Sequence, residues 1–286
     1  FLKRNYLAGD YAKFFAFIVF SNLSAFFITK IDLFFVARYT DLSNLAFYTT
    51  ASYFVLFLMV PYNSVLAISF PEIVKLYTQR KKQELTPMII NNAMFGLALS
   101  LYCFLILWLN IDFIYSIIPN GELYEKGKYV FLILAIGKLV DISIGSLGQL
   151  IVASEWYHYT LYFSIINSLI GIILGYYLTS CYGIIGSAWA ITLTIFISDI
   201  FQVLLGYFKL KIIPFDKNVL KILLLSTFVF VFCYILTRLV DDKYIQMVLK
   251  SIFISIVFFG GICLFKINEE VNKLTFHFLR KIGLKK

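Results

Sequence analysis

The sequence predicts an all-α integral membrane protein that crosses the bilayer about eight times. Of its 286 residues, 61% are hydrophobic and only 14% are charged, whereas a soluble domain has about 45–50% apolar and about 25% charged residues. The apolar residues form runs of roughly 20, which is the length that a helix needs to cross a bilayer. Barrel strands would be about half as long and would alternate in polarity, so a barrel is excluded.

The apolar runs and the breaks between them divide the chain into three parts. We expect six membrane helices over residues 1–213, two further membrane helices over 214–265 and a basic tail over 266–286. Pro214 lies at the first boundary, and apolar residues at helical spacing in the tail predict an amphipathic helix on the membrane surface. The eight predicted spans are Phe14–Ala37, Ala46–Phe70, Met88–Asn110, Tyr129–Ala153, Tyr159–Ser180, Ile184–Phe208, Val219–Val240 and Tyr244–Phe265.

The distribution of basic residues predicts the orientation. If the N-terminus is cytoplasmic, 17 of the 25 lysines and arginines fall in inside segments, 5 in outside segments and 3 within spans. The positive-inside rule therefore places both termini of this segment in the cytoplasm, in the cell's inner (cytoplasmic) membrane. The net charge of +9 is thus explained by topology and lipid contact, and no nucleic acid partner is expected. Because the chain begins at Phe1, we expect it to be a fragment.

Motifs of soluble enzymes and metal sites are absent from the sequence. It contains no phosphate-binding Gly-x-x-x-x-Gly-Lys-Ser/Thr loop, no His-Glu-x-x-His and no nucleophile elbow. The four cysteines and two histidines are scattered without metal-ligand spacing. We therefore expect no metal, no cofactor other than a possible coupling cation, and no catalytic residues.

Charged residues inside the apolar runs are the main functional signal. Lys30 and Asp32 lie in the first span, Lys138 and Asp141 in the fourth, and Asp199 in the sixth. An ionisable group in hydrocarbon costs a few kcal/mol or more unless it faces a wet cavity or a partner. The sequence therefore predicts a polar path through the protein.

The fourth span places four of its polar or small positions on one face. On a straight helix, Lys138, Asp141, Gly145 and Gln149 form a narrow stripe. The stripe indicates either a cavity lining or a protein seam. Because Lys138 and Asp141 are three residues apart, they can also form a purely structural ion pair.

The first and sixth spans supply the other candidates. Asn22 and Asp32 share a broad side of the first span, whereas Lys30 points elsewhere and lies where it could extend to the interface. Asp199 lies toward the inner end of the sixth span. It could hold a coupling cation or anchor a neighbouring helix, and the sequence does not separate these roles.

Several motifs, in order and spacing, resemble those of polysaccharide-export flippases of the multidrug/oligosaccharidyl-lipid/polysaccharide superfamily. The segment Tyr182–Ala190 resembles that family's YGxxGaAxA signature, and the resemblance extends over nearly the whole chain. Two differences are the absence of basic residues in Glu155–His158 and of a glycine before Tyr48. The supporting segments are Ile31–Leu33 with Ala46–Tyr48, Phe70–Glu72, Gly148–Ser154 and Ser164–Gly175.

The resemblance implies the second six-helix lobe of a MATE-like flippase fold, followed by two additional helices. The implied function is moving a lipid-diphosphate-linked oligosaccharide, a polysaccharide or lipopolysaccharide precursor, across the membrane by alternating access. Expected partners are that substrate, membrane lipids, the missing N-terminal lobe and the polysaccharide polymerase machinery. The implied substrate-cavity residues are Lys138, Lys30, Gln149 and Asn22, and the candidates for ion coupling by H⁺ or Na⁺ or for charge balance are Asp141, Asp32 and Asp199.

Two other functions remain open from the sequence. A multidrug antiporter of the same superfamily would have an acid-dominated cavity for cationic cargo. A membrane-embedded transferase acting on a lipid-linked sugar would need a catalytic acid or base at a wet loop, where Asp112, Glu122 and Glu125 are the outside candidates.

Overall fold

The computed structural model describes residues 30–236 and 242–264, together with Phe15 and Val19, and every element in these ranges is helical. A first helix, α1, covers residues 30–39 of the described part. A 3₁₀ turn (Glu125–Gly127) precedes α6, and a π-helical turn (Gly206–Leu210) follows α8. The other helices are α2 (Leu42–Thr78), α3 (Lys82–Leu109), α4 (Ile111–Ile117), α5 (Gly121–Tyr124), α6 (Lys128–Ser143), α7 (Leu147–Ala153), α8 (His158–Leu205), α9 (Lys217–Leu236) and α10 (Lys243–Leu264).

Among the described residues, five helices are long and apolar enough to cross a membrane: α2, α3, α8 with its π-helical turn, α9 and α10. A sixth span results if Gly121–Ser143 and Leu147–Ala153 count as one bent span. The stretch from His158 to Leu210 is 53 residues long, about 80 Å at roughly 1.5 Å per residue, far more than the ~30 Å of hydrocarbon. It is divided at Gly183, whose backbone is not helical (φ 59°, ψ −137°). The two halves correspond to the fifth and sixth predicted spans.

The connections gather at two ends of the bundle. At one end, a cavity brings together the α2–α3 turn, the residues after α7 and the residues after the π-helical turn. At the other end, Gly127 lies against the backbone of Phe47, and Gly183 lies beside Thr40. The charge distribution assigns these two groups of loops to opposite sides of the membrane, and their separation in the structure agrees with that. Which of the two ends faces the cytoplasm stays a prediction.

The α2–α3 connection is shorter than the sequence indicates. The basic loop expected over residues 72–87 is mostly helical, and only residues 79–81 lie outside the two helices. The amide of Lys81 donates to the carbonyl of Leu76 (3.0 Å) and that of Arg80 to Tyr77 (3.0 Å), the hydrogen bonds of a Schellman C-cap. Arg80 takes the left-handed position (φ 57°) at which glycine is usual.

In the part of the chain that the structure describes, three apolar clusters form the core. The first joins α2 and α3 to α9 and α10, with Met94, Leu97, Val229 and Phe258 at its centre. The second joins α2, α6 and the Gly183 region of α8, and the third lies beneath the cavity end. The last two helices therefore pack on α3. The predicted amphipathic tail lies outside the described residues.

The predicted fourth span is broken. Between α6 and α7 the chain bends by 53°, and Gly145 at the break has φ +62°. A Cβ atom there would lie 2.7 Å from the Cβ of Ala93 and 2.8 Å from its backbone. Glycine is thus required both by the backbone conformation and by the close approach of α3.

We predict that Gly145→Ala destabilises the protein. A left-handed non-glycine residue costs roughly 1–2 kcal/mol, and displacing Ala93 adds to that, so the apparent Tm of the purified protein in detergent should fall by several degrees. Gly260→Ala is the matched control, because a Cβ at Gly260 would meet no atom within 4 Å. Equal melting of Gly145→Ala and Gly260→Ala would show that the break does not need glycine.

Candidate functional site

Side chains from neighbouring helices satisfy the polar groups at the α6–α7 break. The hydroxyl of Tyr62 on α2 donates to the carbonyl of Gly145 (2.6 Å). Asn92 on α3 donates to the hydroxyl of Ser146 (3.0 Å) and accepts from the hydroxyl of Ser69 on α2 (3.2 Å). A helix can break at membrane depth only where such partners replace the lost backbone hydrogen bonds. This network fixes the position of the last turn of α6.

Lys138 and Asp141 lie in the last two turns of α6 and form an ion pair. The Nζ atom of Lys138 is 3.0 Å from the Oδ2 atom of Asp141, and the two side chains are 27% and 25% exposed, respectively. The pairing that their spacing allows is therefore confirmed. Since both side chains stay partly exposed, either can meet a ligand without a rearrangement of the helix.

Asp199 joins this pair from the second half of α8. Its side chain is buried and interacts electrostatically with both Asp141 and Lys138. The helices are held close here: the hydroxyl of Thr192 donates to the carbonyl of Ile133 (3.0 Å), and a Cβ at Gly137 would lie 3.0 Å from that hydroxyl oxygen. Close helix contact thus brings a carboxylate from α8 into the field of the pair on α6.

Lys138, Asp141 and Asp199 form what we call the charged cluster. Its formal charge is −1 when all three groups are ionised. The Oδ2 atom of Asp199 is buried and has no hydrogen-bond partner among the described residues, and an unpaired buried carboxylate oxygen is costly. The cluster can therefore bind a proton or a small cation at the carboxylates and an anion at the lysine.

Asp32 makes a different set of contacts. One carboxylate oxygen accepts from the hydroxyl of Tyr48 on α2 (2.7 Å), and the other accepts from the backbone amide of Leu33 (2.8 Å). Ser187 on α8 donates to its backbone carbonyl (3.4 Å). Asp32 thus joins α1 to α2 and α8. Lys30 is exposed and acts on Asp32 through its charge.

Gln149 lies apart from the charged cluster in the described contacts. Gln149 lies beyond the 53° bend and donates from its side-chain amide to the carbonyl of Leu66 on α2 (3.3 Å). The straight polar stripe of Lys138, Asp141, Gly145 and Gln149 is therefore wrong, because the helix breaks inside it. Asn22 lies outside the described residues.

The sequence reading missed the residues that support the break. These residues lie within or beside apolar runs: Tyr62, Ser69, Asn92 and Ser146. Of the four, Asn92 gave the clearest signal, because an amide side chain in a long apolar helix needs hydrogen-bond partners on neighbouring helices. The Nζ atom of Lys250 donates to the carbonyl of Leu109 at the end of α3 (3.1 Å).

Comparison with known proteins defines the class. The family model MatE matches residues 18–177, more than half of the chain. The chain therefore belongs to the MatE family and is a multi-pass membrane protein. Comparison with curated protein sequences finds no significant match.

Two solved structures share the fold. One is "Lipid II flippase MurJ, inward closed conformation", with a TM-score of 0.65 and 20% identity, covering 88% of this chain and 52% of that one. The other is the outward-facing conformation of a multidrug resistance MATE family transporter of the MOP superfamily, with a TM-score of 0.54 and 14% identity, covering 85% of this chain and 62% of that one. The chain thus spans about half to three-fifths of their length.

We predict that Asp32 and Tyr48 act as a structural pair. Asp32→Asn and Tyr48→Phe should each lower the free energy of unfolding, and the double variant should lose less than the sum of the two, with a coupling of about 0.5–3 kcal/mol. The measurement is a double-mutant cycle by thermal melting in detergent. Strict additivity would show that their 2.7 Å hydrogen bond does not contribute to stability.

Proposed function

We propose that this chain is part of a flippase that moves a lipid-diphosphate-linked oligosaccharide across the cytoplasmic membrane by alternating access. The observation that best supports this proposal is the charged cluster, in which a partly exposed lysine lies near a helix break inside a MatE-family bundle. Fold similarity to a lipid II flippase is consistent with a lipid-linked substrate but extends to the fold alone. The sequence motifs point to a polysaccharide or lipopolysaccharide precursor as the cargo.

Lys138 is the proposed contact for the diphosphate. In the absence of cargo, the carboxylate of Asp141 balances the charge of Lys138 at 3.0 Å. An arriving diphosphate carries more negative charge than one carboxylate and competes for the lysine. Asp141 is then left without its partner and can take up a coupling H⁺ or Na⁺ together with Asp199.

The cluster also favours a second candidate, a multidrug antiporter. Its two carboxylates outnumber its one lysine, and an acid-dominated site suits cationic cargo. The solved MATE transporter shares the fold, so both cargo classes fit the architecture. A transferase gains no support, because Asp112, one of its three candidate acids, is engaged in an ion pair with Lys128.

The complete transporter requires more than this chain. Since the chain spans about half to three-fifths of the neighbours' length, we propose that an N-terminal lobe supplies the other wall of the cavity. The polysaccharide polymerase machinery is a proposed further partner. The basic cavity end is proposed to face the cytoplasm, as the positive-inside rule predicts.

The test is to change Lys138 in the full-length protein. Lys138→Ala should reduce glycan export at least tenfold per inserted protein, while Lys138→Arg should keep part of the activity because it retains the charge for a phosphate contact. Export is measured by translocation of lipid-linked oligosaccharide and normalised to membrane protein level. Efflux of a cationic dye, measured in parallel, tests whether the protein is instead a multidrug antiporter.

The double variant Lys138→Ala/Asp141→Ala separates the proposed role from a structural one. If Lys138 only balances a buried charge, removing both partners should restore abundance and export, and the assignment of Lys138 to the substrate would be wrong. Loss of dye efflux with normal glycan export would favour the antiporter. Loss of export in both the single and the double variant supports the flippase.

A further inference from the structure

A cavity of about 610 Å³ lies at the bundle end opposite Gly183. Three chain segments form it: the α2–α3 turn, the end of α7 with the residue after Ser154, and the residues that follow the π-helical turn. Its floor is the third apolar cluster, to which Leu76, Leu85, Leu150 and Ile212 contribute buried side chains. The cavity therefore has an apolar wall that a hydrocarbon chain can contact.

The mouth of the cavity is mainly cationic. Arg80 and Lys82 line it, and Glu155 is the acidic residue among its lining. Within the described ranges, neither basic side chain forms an ion pair, whereas the neighbouring Lys81 pairs with Glu84 (3.1 Å). Two cationic groups thus remain free for a ligand, beside an apolar wall and at the end of membrane-spanning helices.

Two basic residues at this end occupy strained backbone positions. Arg80 and Lys211 have φ values of 57° and 55°, in the left-handed region that favours glycine. Lys211 directly precedes the cavity-lining Ile212, whose amide donates to the carbonyl of Gly206 (3.0 Å). Both residues end a helical segment, where the left-handed conformation is common. Here it fixes a basic residue in two of the three segments.

A further lysine is held close to the same end. The Nζ atom of Lys209 lies 4.5 Å from the ring centre of Trp156, a cation–π distance, and Trp156 follows Glu155 in sequence. The positive charge of Lys209, on the π-helical turn, is thereby kept beside the segment that carries Glu155. The local charge at this end stays positive in spite of Glu155.

We propose that this cavity binds the phosphate headgroup of an anionic phospholipid, with one acyl chain against its apolar floor. Arg80 and Lys82 contact the phosphate, and the floor residues contact the first methylene groups of the chain. A basic pocket at the membrane surface between transmembrane helices is suited to this chemistry. A free phosphate would use the same cations but would gain nothing from the apolar wall.

A bound lipid would contact all three segments, which the third apolar cluster already packs together. It would hold the end of α7 and the residues after α8 against the α2–α3 turn. Because α7 follows the break at Gly145, the lipid site and the break lie at the two ends of the same short helix. The site is independent of the cargo cavity and of the function proposed above.

The test uses the full chain in detergent with phosphatidylglycerol as the probe and phosphatidylcholine as the neutral comparison. Binding is measured by titration with native mass spectrometry. Arg80→Ala/Lys82→Ala should weaken phosphatidylglycerol binding about 30-fold, because each of the two basic residues contributes about 1 kcal/mol near an anionic surface. Glu155→Gln should strengthen it several-fold, because the repelling carboxylate is removed.

Lys217→Ala/Lys221→Ala is the matched control. It removes the same charge from exposed lysines at the start of α9 that do not line the cavity, and it should leave binding within about twofold. Equal losses in both double variants would overturn the proposal in favour of diffuse surface attraction. Displacement of the lipid by millimolar inorganic phosphate, or equal binding of phosphatidylcholine, would also overturn it.

Misfolding is controlled by the melting curves of the same samples. If Arg80→Ala/Lys82→Ala lowers the apparent Tm without lipid, Arg80→Gln/Lys82→Gln replaces it, because glutamine keeps much of the side-chain length without the charge. This second variant should also weaken phosphatidylglycerol binding about 30-fold. Unchanged binding in it would contradict the proposed role of the two cations.

Discussion

The free-energy cost of an unpaired polar group in hydrocarbon constrains this structure more than any other factor. An unsatisfied backbone group at membrane depth costs several kcal/mol, so a break in a spanning helix is possible only where neighbours supply partners. At the α6–α7 break, Tyr62 donates to the backbone carbonyl of Gly145, and Asn92 donates to the side-chain hydroxyl of Ser146. Their hydrogen bonds fix the break against α2 and α3, and the break in turn positions the charged cluster one turn earlier.

The same constraint explains the composition of the charged cluster. Lys138 is balanced by Asp141 on its own helix. Asp199 enters from α8, which packs so closely on α6 that a Cβ at Gly137 would lie 3.0 Å from the hydroxyl oxygen of Thr192. Two carboxylates and one ammonium cannot all be neutralised within the cluster. The remaining negative charge must be met by a proton, a cation or a conformational change, and these are the events that a transport cycle uses.

The sequence was sufficient for the fold class because apolar run length depends on bilayer thickness and not on tertiary contacts. It was sufficient for the Lys138–Asp141 pair because the two residues are three apart on one helix. It failed at Gly145, since a glycine within an apolar helix is usually a packing residue and only the approach of Ala93 shows the bend. It could not join Asp199 to the pair, because that contact depends on how α8 packs on α6.

The role of Asp32 also depended on tertiary structure. From the sequence its charge inside a span indicated a cavity, but Tyr48 and the amide of Leu33 occupy its two oxygens. Asp199 gave a similar sequence signal and has a buried oxygen without a hydrogen-bond partner among the described residues. Two aspartates with the same pattern therefore differ in what they can bind, and only the partners distinguish them.

The central claim, that the charged cluster faces water during transport, is tested most directly by the accessibility of a cysteine at position 141. In full-length protein lacking its native cysteines, Asp141→Cys should react with a membrane-impermeant thiol reagent, and lipid-linked substrate should change the rate. Ile136→Cys is the control. The side chain of Ile136 is exposed (43%) on nearly the opposite face of α6, where we expect lipid and not water, so this cysteine should not react. If Asp141→Cys does not react with the reagent added from either side of the membrane, the account is contradicted and the cluster is a structural ion pair.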